Sequence, residues 1–277
     1  MSPTIDIFRH AVARSNVYGS YMRDPGLTFE GRKQCLQIRQ TYGFGHLVTH
    51  LIASPLRRSI ETALYGLVPL LIPSKRVSLH AELQEIAATP SSTGVPKSQL
   101  EKSFSHEQVI TKGIEEDWYV KGTGSAFAPD VAKVRARARE MRNLLFNLAK
   151  ASIDSGDEDA HLVVVTHGEF AHWLVNDFQG VNAYQFTDWD NAEMRSYKIK
   201  DMNIPILGDP ELVETTYSTM CRGIFTPIIP DDECERIAVE RVVRHAERLE
   251  SVESLQQELP DYETTDESDS DWADVDK

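Results

Sequence analysis

Two short apolar segments that lie far apart in the chain constrain its fold more than any other feature. Residues 5–8 lead directly into Arg9-His10, and residues 161–166 lead into His167. Apolar runs of this length that are rich in β-forming side chains are typical of buried strands. In an open α/β sheet, ligands bind at the carboxyl ends of the strands. The sequence therefore predicts that two strand-end histidines meet at one edge of a sheet, together with an arginine from a third strand.

Strands and helices alternate along most of the remaining chain. Thr28 is a good N-cap for one helix, and Asp130 begins a long amphipathic pattern. Ser54 and Pro55 predict a further helix start, with Ser54 as the cap and Pro55 at the first helical position. The alternation predicts an α/β fold, a three-layer sandwich with a mostly parallel central sheet and helices on both faces. Further strands are expected at 49–53, at 77–79 and, as an edge strand, at 192–200, and a surface helix is expected at 233–249.

Residues 82–124 interrupt this alternation with repeated Pro and Gly residues. An insert of this length inside a compact domain is usually functional. Trp118, Tyr119 and Lys121 could line the rim of a substrate site, but core packing for Trp118 and solvent exposure for Lys121 are at least as good interpretations. We expect a single domain over residues 1–249 that contains this insert.

The net charge of −14 is unevenly distributed, because residues 250–277 hold eleven acidic side chains and a single lysine. This composition predicts a disordered acidic tail, which could dock a protein partner or could serve solubility alone. The rest of the chain is only mildly acidic, so global charge gives no support for nucleic-acid binding. No apolar run reaches the roughly 18 residues of a membrane span. Three unclustered cysteines indicate a reducing compartment, and we expect the cytoplasm, with the nucleus as the alternative.

The residues at the predicted strand ends suit phosphoryl transfer. That reaction needs positive charge around the transferred group and a nucleophile in line with it. A neutral histidine can be the nucleophile, arginine binds phosphate oxygens at two points, and a carboxyl group can protonate the leaving oxygen. The sequence offers each of these groups at strand ends or in first helical turns, namely Arg9, His10, Arg58, Glu85 and His167.

Five short motifs in a fixed order resemble the histidine phosphatase superfamily, which is also called phosphoglycerate mutase-like. They are Arg9-His10-Ala11, Asp24-Pro25-Gly26-Leu27-Thr28 with Gly31, Ser54-Pro55-Leu56-Arg57-Arg58 with Thr62-Ala63, Leu83-Gln84-Glu85, and Thr166-His167-Gly168. Each motif is weak alone, but all five fall at predicted strand–helix junctions.

The resemblance implies a role for each matching residue. His10 would be the nucleophile that becomes phosphorylated, and Glu85 would be the proton donor. Arg9, Arg58 and His167 would form the phosphate pocket, with His167 counted among the catalytic residues as well. Asn16 could also approach the phosphate, and Gly168 would allow a helix start to approach it closely. The substrate would be a small phosphorylated molecule, and no metal or other cofactor is implied.

One position departs from the family pattern, and the choice of the acid residue is open. Ala11 stands where glycine is usual, which changes a single methyl group. Glu82 is a nearby rival of Glu85 for the acid role, and Glu101 and Glu107 are more distant rivals.

Three functions follow from the resemblance. A phosphatase that works through a phosphohistidine is favoured. A mutase that returns the phosphoryl group to its substrate is the first alternative, and a non-catalytic scaffold on the same fold is the second.

Overall fold

In the computed structural model the described residues are 3–71, 75–182, 187–203, 208–224 and 232–258. They form a seven-stranded sheet in the order β4-β3-β2-β5-β1-β6-β7. The strands are β1 Thr4–Arg9, β2 Val48–Ala53, β3 Val77–Leu79, β4 Val109–Ile110, β5 His161–Thr166, β6 Met194–Ile199 and β7 Leu212–Glu214. The first five strands in this spatial order pair in parallel, and β6 and β7 are antiparallel to their neighbours.

Eight α-helices accompany the sheet in the described part of the chain. They are α1 Arg14–Tyr18, α2 Phe29–Thr41, α3 Arg57–Thr62, α4 Lys97–Ser103, α5 Val131–Asp154, α6 Gly168–Val175, α7 Thr216–Cys221 and α8 Asp232–Glu258. Helix α3 continues into a wider π-helical turn, Ala63–Leu67.

Side chains that alternate along the strands divide the core between the two faces of the sheet. Ile5 and Ile7 of β1 pack with α5, α6 and α8, whereas Phe8 packs with α2, α3 and the insert. In β5, Val164 faces the first group of helices and Val165 faces the second. This alternation is the period-two pattern of a strand with a helix layer on each side. The predicted three-layer α/β architecture with a mostly parallel sheet is confirmed.

The cap predicted at Thr28 is present, and Asp130, where the long amphipathic helix is expected to begin, is the N-cap of α5. The Thr28 hydroxyl accepts a hydrogen bond from Gly31 N, and the Asp130 carboxylate accepts one from Lys133 N. The predicted cap at Ser54 is wrong, since α3 begins three residues later with Leu56 at its N-cap. The Ser54 hydroxyl accepts a hydrogen bond from Leu56 N at 3.3 Å and lies 2.8 Å from Nε2 of His167, so it makes one local and one tertiary contact ahead of the helix.

The sheet extends further than the sequence predicted at both of its edges. The strand expected at 192–200 is β6, but it is not an edge strand, because β7 pairs with it through Lys198 and Val213. At the other edge the insert contributes β4, which pairs with β3. Both added strands have only two or three residues, too few to show a periodic pattern.

The C-terminal helix differs from the expected surface helix in length and in contacts. It runs to Glu258, so the predicted tail boundary at residue 250 falls inside it, and residues 259–277 lie outside the described residues. Ala238 and Val242 are buried against α5 and α6. Among the described residues, no helix has the length and apolar character needed to cross a bilayer.

Candidate active site

Three neighbouring parallel strands place the sequence-predicted residues at one edge of the sheet. Strands β2, β5 and β1 lie side by side, so their carboxyl ends meet. Arg9 ends β1 and His10 follows it, His167 follows β5, and Arg58 lies in the first turn of α3 after β2. The structure therefore brings these four residues together where the sequence placed them.

The His10 imidazole is buried, and its two nitrogen atoms have different partners. Nδ1 lies 2.8 Å from the carbonyl oxygen of Ala11, which can only accept, so Nδ1 carries the proton. Nε2 accepts a hydrogen bond from Arg58 Nε at 3.1 Å. Burial, followed by the positive charges of Arg58 and Arg9, lowers the pKa of His10 well below its ordinary value. The ring is thus neutral at pH 7, with a lone pair on Nε2.

Arg58 is held by the segment that precedes α2 and by the insert. Its guanidinium donates to the carbonyl oxygen of Ser91 at 2.6 Å, and the side chain is buried. Asp24 accepts from Arg57 N at 2.9 Å and so fixes the first turn of α3. Burial raises the pKa of Asp24 to about 6. Arg57 itself pairs loosely with Glu61 at 3.9 Å.

His167 is fully buried directly behind His10. The centroids of the two rings are 5.1 Å apart. Its Nε2 lies 2.8 Å from the Ser54 hydroxyl and 3.4 Å from that of Ser59, whereas Nδ1 has no hydrogen-bond partner among the described residues. Burial, then the charge of Arg58, lowers the pKa of His167 well below its usual value. This second imidazole is therefore also neutral, and one of its nitrogen atoms is unpaired.

The bare Cα of Gly168 makes room for Arg9. A Cβ at this position would lie 3.1 Å from Arg9 Nε and 2.6 Å from Cγ2 of Thr187. Arg9 donates through Nη1 to the carbonyl oxygen of Trp189, while its buried Nε has no partner among the described residues. Gly168 is also the first residue of α6 and lines the pocket, and the approach of this helix start to a phosphate stays a prediction.

Two buried cations from the insert and α5 hold the segment that carries Glu85. Lys121 donates to the carbonyl oxygens of Glu85 and Ala87. Arg137 donates to those of Glu82 and Gln84 at 3.0 and 2.9 Å. The expectation of solvent exposure for Lys121 is wrong, because the backbone oxygens of this loop need a donor inside the molecule.

Glu85 lies in the pocket, and its carboxyl group has an altered pKa. Burial raises that pKa, and the negative charge of Glu169 raises it further, against the effects of Arg58 and Lys121. Its rival Glu82 is half-buried and is not among the pocket-lining residues.

The more distant candidates for the acid role also lie elsewhere. Glu101 accepts from the Thr111 hydroxyl on the exposed side of α4, and Glu107 is exposed in the insert. Trp118 is buried in the core, which excludes a place on the rim.

Asn16 also lines the pocket, but its side chain has a local partner. Its Oδ1 accepts from Ala13 N at 2.8 Å at the start of α1, and the residue is exposed. The structure places Asn16 at the mouth of the site, whereas His10 and Arg58 lie at the base.

The pocket has a volume of about 460 Å³, and α8 forms one of its walls. Arg241, Arg244, His245 and Arg248 of that helix line it. Sequence reasoning missed these residues, although their spacing of three, four and seven positions puts them on one face of a helix. That basic stripe was the available signal, but only the tertiary contact shows that it faces the site.

Glu169, the second residue of α6, connects α8 to the centre of the site. It accepts from Arg241 Nε at 3.1 Å, and it lies 3.2 Å from His245 Nε2. Burial alone would raise the pKa of Glu169, but the hydrogen bonds and charges of His245 and Arg241 bring it below the ordinary value. The pocket therefore contains one ionised carboxylate, Glu169, and one carboxyl group that favours its protonated form, Glu85.

No group of three or more His, Cys, Asp or Glu side chains in the described part of the chain is arranged to hold a metal ion. The positive charge of the site comes from arginines.

Comparisons with known proteins agree with this fold. Residues 5–207 match the family model described as histidine phosphatase superfamily, branch 1. No curated protein sequence matches the chain. Among solved structures, the ecdysone phosphate phosphatase of Bombix mori, in complex with tungstate, has a TM-score of 0.50 at 15% identity over 83% of this chain and 95% of that chain. At that identity the similarity shows a shared fold.

Two further solved structures are similar at lower scores. The phosphoserine phosphatase of Entamoeba histolytica has a TM-score of 0.45 at 16% identity over 77% of this chain and 96% of that chain. The mycobacterial glucosyl-3-phosphoglycerate phosphatase has a TM-score of 0.46 at 17% identity over 78% and 99%.

Proposed function

Because the chain belongs to the histidine phosphatase superfamily, branch 1, we propose that it is a metal-independent phosphatase that hydrolyses a phosphomonoester through a phosphohistidine on His10. The observation that carries the proposal is the lone pair on His10 Nε2, which faces the Arg58 guanidinium in a pocket that also contains Arg9 and Glu85.

In the first step, Nε2 of His10 attacks the phosphorus atom, and the bond from phosphorus to the ester oxygen breaks. The hydrogen bond from Nδ1 to the Ala11 carbonyl orients the ring and stabilises the positive charge that forms on it. Arg58, which donates to Nε2 in the free enzyme, would turn its donors to the phosphoryl oxygens.

The unpaired buried nitrogen atoms support a phosphate site at this position. Arg9 Nε and His167 Nδ1 have no partner among the described residues, and a buried polar group without a partner is costly. The oxygens of a bound phosphoryl group would supply the missing acceptors. Arginine charges around those oxygens would stabilise the transition state.

Glu85 would supply the proton that the leaving oxygen needs. Its raised pKa keeps the carboxyl group protonated at higher pH than an ordinary glutamate. After the alcohol leaves, the resulting carboxylate would accept a proton from water, which attacks the phosphohistidine and releases inorganic phosphate. His10 returns to its neutral state, and Glu85 is protonated again.

The His10→Ala variant tests this function. We expect it to lower the rate of p-nitrophenyl phosphate hydrolysis by about a thousandfold or more, because it removes the nucleophile. His106→Ala, which changes an exposed histidine of the insert, is the matched control and should keep the full rate. Unchanged hydrolysis in His10→Ala would rule out the proposed mechanism.

Rapid-quench trapping of the phosphoenzyme separates a phosphatase from a mutase. The acid-labile label should be present in the wild type, should be absent in His10→Ala, and should pass quickly to water. A label that persists until an alcohol acceptor is added would instead indicate a mutase.

A further inference from the structure

The pocket extends well beyond the residues that would hold a phosphoryl group. Pockets that enclose whole small molecules measure roughly 300–1,000 Å³, and this one measures about 460 Å³. His10 and Arg58 lie in its lining together with residues of α8. A substrate that fills the pocket therefore contacts α8 with the part of the molecule that does not react.

The wall formed by α8 is basic, and only part of its charge is neutralised. Arg241 and His245 share the carboxylate of Glu169. Arg244 has a loose contact of 3.8 Å with Glu240 at the surface. Arg248 makes no ion pair with any residue that the structure describes.

The charge of the whole pocket exceeds what one phosphate group can neutralise. Five arginines line the described pocket, namely Arg9, Arg58, Arg241, Arg244 and Arg248. Opposite them in the lining stand two carboxyl groups, Glu169, whose pKa is lowered, and Glu85, whose pKa is raised. A phosphomonoester brings about two negative charges. This excess of cations lies in a chain whose net charge is −14, so it is a local feature of the cleft.

We propose that Arg244 and Arg248 of α8 form a second anion subsite, and that the substrate is a phosphomonoester with a second anionic group, either a carboxylate or another phosphate. This inference rests on the proposed function for the position of the reacting phosphate. Arg241 and His245 are tied to Glu169 and position the helix, while the two outer arginines meet the second anion.

A series of simple substrates tests the proposal. Alkyl monophosphates, ω-carboxyalkyl phosphates and alkane bisphosphates, each with chains of two, four and six carbons, differ only in the group at the far end. We expect the wild-type kcat/KM for the best dianionic compound to exceed that of the matched alkyl monophosphate by about tenfold. Comparing the carboxylate with the bisphosphate series identifies which second anion the subsite prefers.

The double variant Arg244→Gln/Arg248→Gln should reduce this preference to about one. Both side chains are exposed, so the fold does not depend on them. Arg236→Gln is the matched control, because Arg236 is an exposed arginine on the same helix that pairs with Glu233 and Glu240 and does not line the pocket. The control should keep the wild-type preference for dianions. Added salt should weaken that preference by screening the charges. A wild-type ratio near one, or a ratio that the double variant leaves unchanged, overturns the inference.

Calorimetric binding of the same compounds to His10→Ala separates this inference from the proposed function. In one outcome the wild type hydrolyses no ester, but the dianions bind about tenfold more tightly than the alkyl monophosphates, and Arg244→Gln/Arg248→Gln removes this difference. The proposed function then fails and the subsite stands. If the esters are hydrolysed but neither rate nor binding distinguishes the dianions, the subsite fails and the function stands.

Discussion

At His10 and Glu85 the same physical effect, burial, changes two pKa values in opposite directions. Burial disfavours the charged form of each group, so it lowers the pKa of the imidazole and raises that of the carboxyl group. Neighbouring charges add to both changes, Arg58 at His10 and Glu169 at Glu85. Both directions favour the pair of states that the first step of the proposed reaction requires, a neutral imidazole and a protonated carboxyl group.

The variant Glu169→Gln should move the alkaline limb of the pH–rate profile toward lower pH. The acid step needs protonated Glu85, so the rate falls as pH rises through its pKa. Removing the negative charge of Glu169 lowers that pKa, because Glu169 is the neighbouring charge that raises it. The measurement is kcat/KM against pH with an alkyl phosphate, whose poor leaving group depends on protonation.

Glu85→Gln serves as the internal reference for this prediction. It has no titrating acid, so its profile should lack the alkaline limb, and it should slow alkyl phosphates more than aryl phosphates. If the alkaline limb of Glu169→Gln stays at the wild-type pH while circular dichroism shows an intact fold, Glu169 does not affect the pKa of Glu85.

At the scale of elements, α2 supports the loop that follows His10 through an unusually close approach. Thr28 N and its hydroxyl both donate to the carbonyl oxygen of Val12, and Val12 N donates to Gln34 Oε1 at 2.8 Å. Gly31 permits this approach, because a Cβ there would lie 2.2 Å from the Val12 oxygen. The segment directly after the proposed nucleophile is therefore fixed by the N-cap residue Thr28 and by the Gln34 side chain of α2.

Gly31→Ala should destabilise the protein by about 1–3 kcal/mol, because backbone atoms must move to admit the methyl group. The same movement shifts Val12, two residues from His10, so the rate should fall as well. The measurement is the free energy of unfolding from urea titrations, together with kcat/KM for p-nitrophenyl phosphate.

Gly43→Ala is the matched control for this substitution. A Cβ on Gly43 would meet nothing within 4 Å, so its effect should stay within about 0.5 kcal/mol. Equal effects of the two alanines would contradict the role of the close approach.

At the scale of the whole molecule, one buried carboxylate ties four segments together behind the site. Asp6 of β1 is fully buried and accepts from Tyr42 Oη at 2.7 Å and from Ser196 Oγ at 2.6 Å, while His161 Nδ1 lies 2.5 Å away. These partners come from the end of α2, from β6 and from β5. The network therefore joins three strands of the sheet to a helix on one face.

Asp6→Ala should lower the free energy of unfolding by about 3–5 kcal/mol, since it leaves three buried polar groups without their acceptor. Asp6→Asn keeps one acceptor oxygen and should lose less. Asp154→Ala, which changes an exposed residue at the end of α5, should have almost no effect. Thermal and urea unfolding measure all three, and a loss below about 1 kcal/mol in Asp6→Ala would mean that the network is not stabilising.

We also propose a revised C-terminal boundary for the domain. The insert at 82–124 contributes β4 and α4 to the body of the fold, and α8 packs on α5 and lines the pocket. One domain that continues through α8 to Glu258 accounts for these contacts better than a domain that ends at residue 249.

The sequence by itself determined the strand–helix framework and the position of the reactive groups within it. Apolar runs and their period are local properties, and a residue that ends a parallel strand must lie at the carboxyl edge of the sheet. His10, Arg58 and His167 could therefore be assigned to one site before any contact was known. Capping at Thr28 and Asp130 was predictable for the same reason, because the partners are three residues away.

Only the tertiary structure decided which partner each buried side chain meets. Ser54 lies 2.8 Å from Nε2 of His167, and Lys121 donates to the carbonyl oxygen of Glu85 inside the molecule. Glu169 meets Arg241 from a helix more than seventy residues later in the chain. Hydrophobic periodicity reports that a face is covered but carries no information about which distant segment covers it. The wall that α8 adds to the pocket, on which the proposed second anion subsite rests, could therefore be seen only in the folded molecule.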